Sequence, residues 1–100
     1  MSKNDRFALL VFKVGFDGRV LVEIKLSINK LSKGYERQLK MYREAEETTR
    51  AFYIVIDVGG NLDGKAQELL AAKKRAEEGS RRASEIIFIN GNVQRSASKL

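Results

Sequence analysis

Two ionisable residues stand two positions apart in an otherwise apolar run, Val20-Leu21-Val22-Glu23-Ile24-Lys25-Leu26. If the run is a β-strand, alternation sends Glu23 and Lys25 to one face of the sheet and Ile24 to the other. Burying a carboxylate or an ammonium is costly unless the group is paired or has a task. Metal-assisted phosphodiester hydrolysis is such a task. The carboxylate holds a divalent ion, the ion activates a water and offsets phosphate charge, and the lysine orients that water or stabilises the developing negative charge. A plain cross-strand salt bridge on a half-exposed face explains the same tripeptide without chemistry, so the surrounding sequence has to divide the two readings.

Composition narrows the choice. The chain has 100 residues, enough for one domain with a modest core, and 43% of them are apolar. It contains neither cysteine nor histidine, which excludes disulfides, thiolate zinc sites and any mechanism built on a histidine base. Ligands to a metal would have to be oxygens, which favours magnesium, manganese or calcium. The formal net charge of +6 points to an anionic partner, nucleic acid first. No apolar run approaches the ~20 residues that span a bilayer, and no signal-peptide apolar region follows Met1–Asp5. A cytoplasmic protein without a membrane partner is expected.

The elements that must position Glu23 and Lys25 follow from hydrophobic spacing. Residues 7–16 and 20–27 read as the two strands of a hairpin, with Phe16-Asp17-Gly18-Arg19 as its turn. Leu31 to about Thr48 reads as a helix capped by Ser32, with Tyr35, Leu39, Tyr42 and Ala45 on one face and Arg37, Lys40, Arg43, Glu44 and Glu47 on the other. Residues 51–58 form an apolar strand suited to the middle of a sheet. Asp63 can cap a second helix that runs to about Glu78 and ends at Gly79. Residues 84–89 form a last strand, and residues from about 92 read as a flexible tail. The prediction is a single α/β domain with a mixed sheet, in the order β-β-α-β-α-β.

With these elements in place, Glu23-Ile24-Lys25, followed by Leu26-Ser27, resembles the ExK strand of the PD-(D/E)xK nucleases. Gln38-Leu39-Lys40-Met41-Tyr42 on the next helix is similar to the Q-x-x-x-Y signature of the RecB-like branch of that superfamily. The resemblance implies a restriction-endonuclease-like core, DNA as the substrate, and Mg2+ or Mn2+ as the cofactor. It casts Glu23 as the metal ligand, Lys25 as the water-orienting or charge-stabilising residue, and Gln38 and Tyr42 as supports near the active site or the nucleic-acid backbone. Core packing accounts equally well for Tyr42.

The sequence departs from that pattern at one decisive position. The family needs an Asp on the first hairpin strand. Reading Phe16-Asp17-Gly18 as a three-residue loop with Gly18 in the left-handed position pairs Gly15 with Arg19 and sets Val11 opposite Glu23. Valine cannot ligate a metal, so weak magnesium affinity and impaired or absent cleavage are expected. The alternative is a non-catalytic scaffold or nucleic-acid-binding remnant of the fold. Asp17 reads as turn chemistry rather than a substitute ligand. Only a few residues precede the hairpin, where the family usually carries a helix, so the expectation is either that a second copy of the chain covers the sheet surface left open, which would favour a homo-oligomer, or that the sequence is a fragment.

Several charged groups remain. Lys30, Lys33 and Arg37 near the start of the first helix are the better candidates for phosphate contact. Lys73-Lys74-Arg75 and Arg81-Arg82 read as a soluble helix end, with phosphate contact as the other option. Asp57 reads as a strand-end acid that pairs with the following loop, with support of the metal ligand as the other option. Gly59-Gly60-Asn61 lacks the Gly-Lys-Ser/Thr of a phosphate loop.

Overall fold

The computed structural model describes residues 8–14 as backbone, and residues 18–79 and 82–91 in full. The elements are β1 (Ala8–Val14), β2 (Gly18–Leu26), α1 (Leu31–Glu44), β3 (Thr49–Asp57), α2 (Leu62–Glu78) and β4 (Glu85–Asn90). They form a small α/β domain with one four-stranded sheet in the order β1-β2-β3-β4. The β1–β2 pair is antiparallel, whereas β2–β3 and β3–β4 are parallel. Parallel neighbours need crossovers, which α1 and α2 supply. Right-handed crossovers that step in one direction place both helices on the same face of the sheet.

Leu31, Tyr35 and Leu39 of α1 and Leu69 and Ala72 of α2 close over Tyr53 and Val55 of β3 to form the core. The Tyr35 and Tyr53 rings meet edge-to-face, with centroids 5.3 Å apart. The Tyr53 hydroxyl donates to the Leu31 carbonyl at 2.7 Å, and the Tyr35 hydroxyl donates to the Ser84 carbonyl at 2.8 Å. Each buried phenol is therefore satisfied and ties a helix to a strand region. Burial is the main cause holding both hydroxyls well above the ordinary value of 10.0. The negative charge of Glu23 adds to the effect at Tyr53, and Glu77 and Glu85 add to it at Tyr35.

This sets an alkaline limit on stability. Tyrosine ionises at about pH 10 in the unfolded chain, so the contribution is intact below that pH and is lost as pH rises toward the higher folded-state value. The melting temperature is expected to stay level to about pH 9 and then fall, with a shallower fall in Tyr53→Phe. Thermal scans across alkaline buffers check this, and a wild-type curve that stays flat through about pH 11 would contradict it.

Several boundaries differ from the sequence reading. Gly18 is a strand residue paired with Val14, and the register continues through Val11↔Leu21 to Leu9↔Glu23. Val11 is therefore not opposite Glu23, because the innermost pair is Val14 with Gly18 rather than Gly15 with Arg19, which shifts every partner on β1 by two residues. The N-cap of α1 is Lys30, with no side-chain cap, so Ser32 already lies in the first turn. The helix ends at Glu44 rather than near Thr48, since Thr49 begins β3. The N-cap of α2 is Asn61, with φ 58°, and Asp63 falls in its first turn. Gly59 and Gly60 precede it at φ 100° and 82°, a left-handed path that glycine takes without steric penalty. Asp57 does pair with this loop, its carboxylate accepting the Gly59 N–H at 2.9 Å. Asp17, Arg81 and the tail from 92 lie outside the described residues.

Candidate functional site

Alternation along β2 places Leu21, Glu23, Lys25 and Ser27 on the face covered by the helices, each 4% exposed or less. The residues between them, Val22, Ile24 and Leu26, are half-buried on the opposite face. Glu23 and Lys25 thus share a face, and α1 lies over both. Glu23 pairs across the ladder with Tyr53, and Lys25 with Val55.

The helix can sit this close because residue 34 is glycine. A Cβ there would lie 2.5 Å from the Tyr53 Oη and 3.2 Å from the Lys25 Cε. The aliphatic stem of Lys25 therefore runs directly beneath the first turns of α1, and the side chain is fully buried.

Arg37 reaches in from the surface of α1. Its Nη2 donates to the Glu23 Oε2 at 3.1 Å, while the Arg37 side chain keeps 40% exposure. The buried carboxylate is thereby matched by a guanidinium whose other edge meets solvent. Gln38 is fully buried, and its Nε2 donates to the Phe52 carbonyl at 3.0 Å. The Gln38 Oε1 has no hydrogen-bond partner among the described residues.

Tyr42 belongs to a different part of the molecule. It lies near the C-terminal end of α1, where the Arg82 guanidinium stacks over its ring at 4.4 Å. Arg82 Nη2 donates to the carbonyls of Tyr42 (2.6 Å) and Ala45 (3.0 Å). Its Nη1 donates to the carbonyls of Glu46, Glu47 and Thr49 at 3.0–3.3 Å. These include carbonyls that a helix end leaves without an internal partner. Arg82 is thus a cap for α1, not an exposed phosphate contact. Lys73 is likewise engaged with carboxylates, at 2.8 Å from Glu77 and 3.9 Å from Glu85. The hydrogen bond to Glu77 is the main cause raising its pKa.

Of the sequence-predicted residues, the structure brings together Glu23, Lys25, Arg37 and Gln38 beneath or along α1 and leaves Tyr42 at the helix end. Lys30 and Lys33 are exposed at the start of α1. They line a hollow of about 360 Å³ with Lys65 and Glu68 of α2, at the carboxyl ends of the parallel strands. Sequence reasoning passed over Lys65, whose Nζ donates to the carbonyls of Ser27 (2.9 Å) and Asn29 (3.2 Å). It also passed over Tyr53, which looked like one more apolar residue in the central strand.

Residues 10–60 match the family model of a domain of unknown function, DUF8371. The chain belongs to that family. No curated protein and no solved structure matches it. The DUF8371 match spans most of β1 together with β2, α1 and β3. It therefore contains Glu23, Lys25, Arg37 and Gln38 but not the Arg82 cap. No helix among the described residues is long and apolar enough to cross a membrane.

A divalent metal does not fit the residues at the centre of the DUF8371 match. Glu23 is 1% exposed and already engaged by Arg37. The β1 residue paired with it is Leu9, which offers no oxygen ligand. Among the described residues no three Asp, Glu, His or Cys side chains cluster closely enough to hold an ion. The correction from Val11 to Leu9 moves the expected Asp position by two residues but leaves it apolar.

Proposed function

We propose that this chain is a non-catalytic domain of the PD-(D/E)xK nuclease type that binds DNA through its phosphates and does not cut it. The observation that carries this reading is the Arg37–Glu23 pair. It supplies the buried carboxylate with a side-chain cation, in a strand pattern that in the nucleases would serve a Mg2+ or Mn2+ ion. The binding reading is supported by the exposed surface of α1. Lys33, Arg37 and Lys40 recur there at helical spacing, with Lys30 at the head of the helix. Such a stripe rises about 1.5 Å per residue, so its cations follow a phosphate backbone over roughly 10 Å. Glu36 and Glu44 interrupt the same surface, which favours modest, salt-sensitive affinity over tight binding. In this reading Gln38 fixes α1 to β3, and Tyr42 provides the platform for the Arg82 cap. The proposed unit in solution is a homo-oligomer.

The test is a titration of labelled single- and double-stranded DNA at several salt concentrations with Mg2+ present. Wild type is expected to bind, with affinity falling steeply as salt rises. Lys33→Glu and Lys40→Glu are each expected to weaken binding several-fold and to flatten the salt slope by about one unit, the share of a single neutralised phosphate. Affinity unchanged in both variants would remove α1 as the binding surface.

A further inference from the structure

The two faces of the sheet differ in kind. One is closed by α1 and α2. The other carries Val22, Ile24, Phe52, Ile54, Ile87 and Ile89, and among the described residues neither helix packs on it. Ile87 and Ile89 keep 41% and 45% exposure, and the rest of that row is half-buried. Both strands of a parallel pair in an α/β domain ordinarily have cover on each face. A contiguous apolar surface of this kind marks an interaction site.

We infer that a second copy of this chain covers it, sheet against sheet, as a two-fold dimer. This specifies the self-association proposed with the function and does not depend on DNA binding. Size and charge together select a second copy. At ~4.8 Å between strands and ~3.3 Å per residue, a four-stranded face presents about 450 Å². Two such faces pressed together withdraw on the order of 1,000 Å² from water, which reaches the threshold of a specific interface. Copies that each carry +6 repel one another through most of their surface. The open face bears charge only at one end among the described residues, where Arg50 on β3 lies near Glu85, the residue paired with Phe52 on β4. A face this poor in charge is where two copies of like net charge can meet.

Sedimentation of the whole chain across micromolar to 100 µM concentrations tests the inference, with Ile87→Lys and Ile54→Ser alongside. A species of twice 11.3 kDa is expected for wild type. Both variants, checked for folding by circular dichroism, are expected to shift toward the monomer, Ile87→Lys with a dimer dissociation constant at least tenfold higher. The wild type also gives a readout that no variant can confound: isotope-filtered NOEs between labelled and unlabelled copies should join the methyl groups of Ile54, Ile87 and Ile89. A wild-type monomer at 100 µM overturns the inference. So does a dimer whose mass Ile87→Lys leaves unchanged, or one whose intermolecular NOEs arise from α1 or α2. DNA affinity per chain should be the same in the Ile87→Lys monomer, because α1 lies on the other side of the sheet. Loss of dimerisation and loss of DNA binding can therefore fail separately.

Discussion

Arg82→Ala is expected to lower the melting temperature by roughly 10–20 °C, the largest effect of any surface-accessible substitution in this protein. Five backbone carbonyls at the end of α1 and the start of β3 accept from this one guanidinium. Its plane also lies on the Tyr42 ring. Removing it leaves a partly buried helix end without donors, a loss of about 2–4 kcal/mol when charge-assisted bonds and the ring stacking go together. The domain is small and its margin is of order 5–15 kcal/mol, so that loss is a large share. Lysine should restore little, because an ammonium cannot present two parallel edges to separate carbonyls. Thermal denaturation of Arg82→Ala and Arg82→Lys checks this. A shift below about 3 °C for alanine would mean the cap contributes little.

The second large effect has an unusual sign. Glycine to alanine in a helix interior ordinarily stabilises by about 1 kcal/mol. At Gly34 the added methyl would stand 2.5 Å from the Tyr53 hydroxyl and 3.2 Å from the Lys25 stem. Relief requires α1 to lift, which strains the Tyr53–Leu31 hydrogen bond and opens the cover over Lys25. Gly34→Ala is expected to destabilise by roughly 2–3 kcal/mol through overpacking. Tyr53→Phe removes the closest atom, so the double variant should lose less than the sum of the two single losses. Denaturant titrations of the four proteins check this. A stabilised Gly34→Ala would mean that α1 rides higher above the sheet, with room for a methyl group.

The parts of this architecture that are local were legible in the sequence. Period-two alternation in residues 20–26 puts Glu23 and Lys25 on one face, and long apolar-periodic runs mark six elements in their observed succession. What escapes a sequence reading depends on distant chain segments. The hairpin register differs by two because a glycine next to an Asp looks like turn chemistry, while Gly18 in fact pairs with Val14 inside the ladder. The end of α1 comes earlier than its periodicity suggests because its cap is Arg82, almost forty residues on. Alternation says that Glu23 and Lys25 share a face, but not that a helix closes over it. The one signal of that closure was Gly34, a residue poor in helix propensity at a position where α1 has to approach β2 and β3. Arg37 looks like one of several solvated cations, because its partner lies fourteen residues away on another element.

Stability and function meet at Glu23. If its partner is Arg37, the carboxylate belongs to the structure, and the ExK pattern persists as a way to seat α1 on the sheet. If its partner in solution is a divalent ion, the same pattern is a working metal site. The direct measurement is a titration of Mg2+ and Mn2+ into the whole chain, following the backbone amide shifts of Glu23, Lys25 and Arg37, with labelled DNA in the same samples assayed for cleavage. A structural Glu23 predicts no saturable shift there and intact DNA that is nonetheless bound. Saturable shifts at Glu23 accompanied by DNA cleavage that Glu23→Gln abolishes would contradict it.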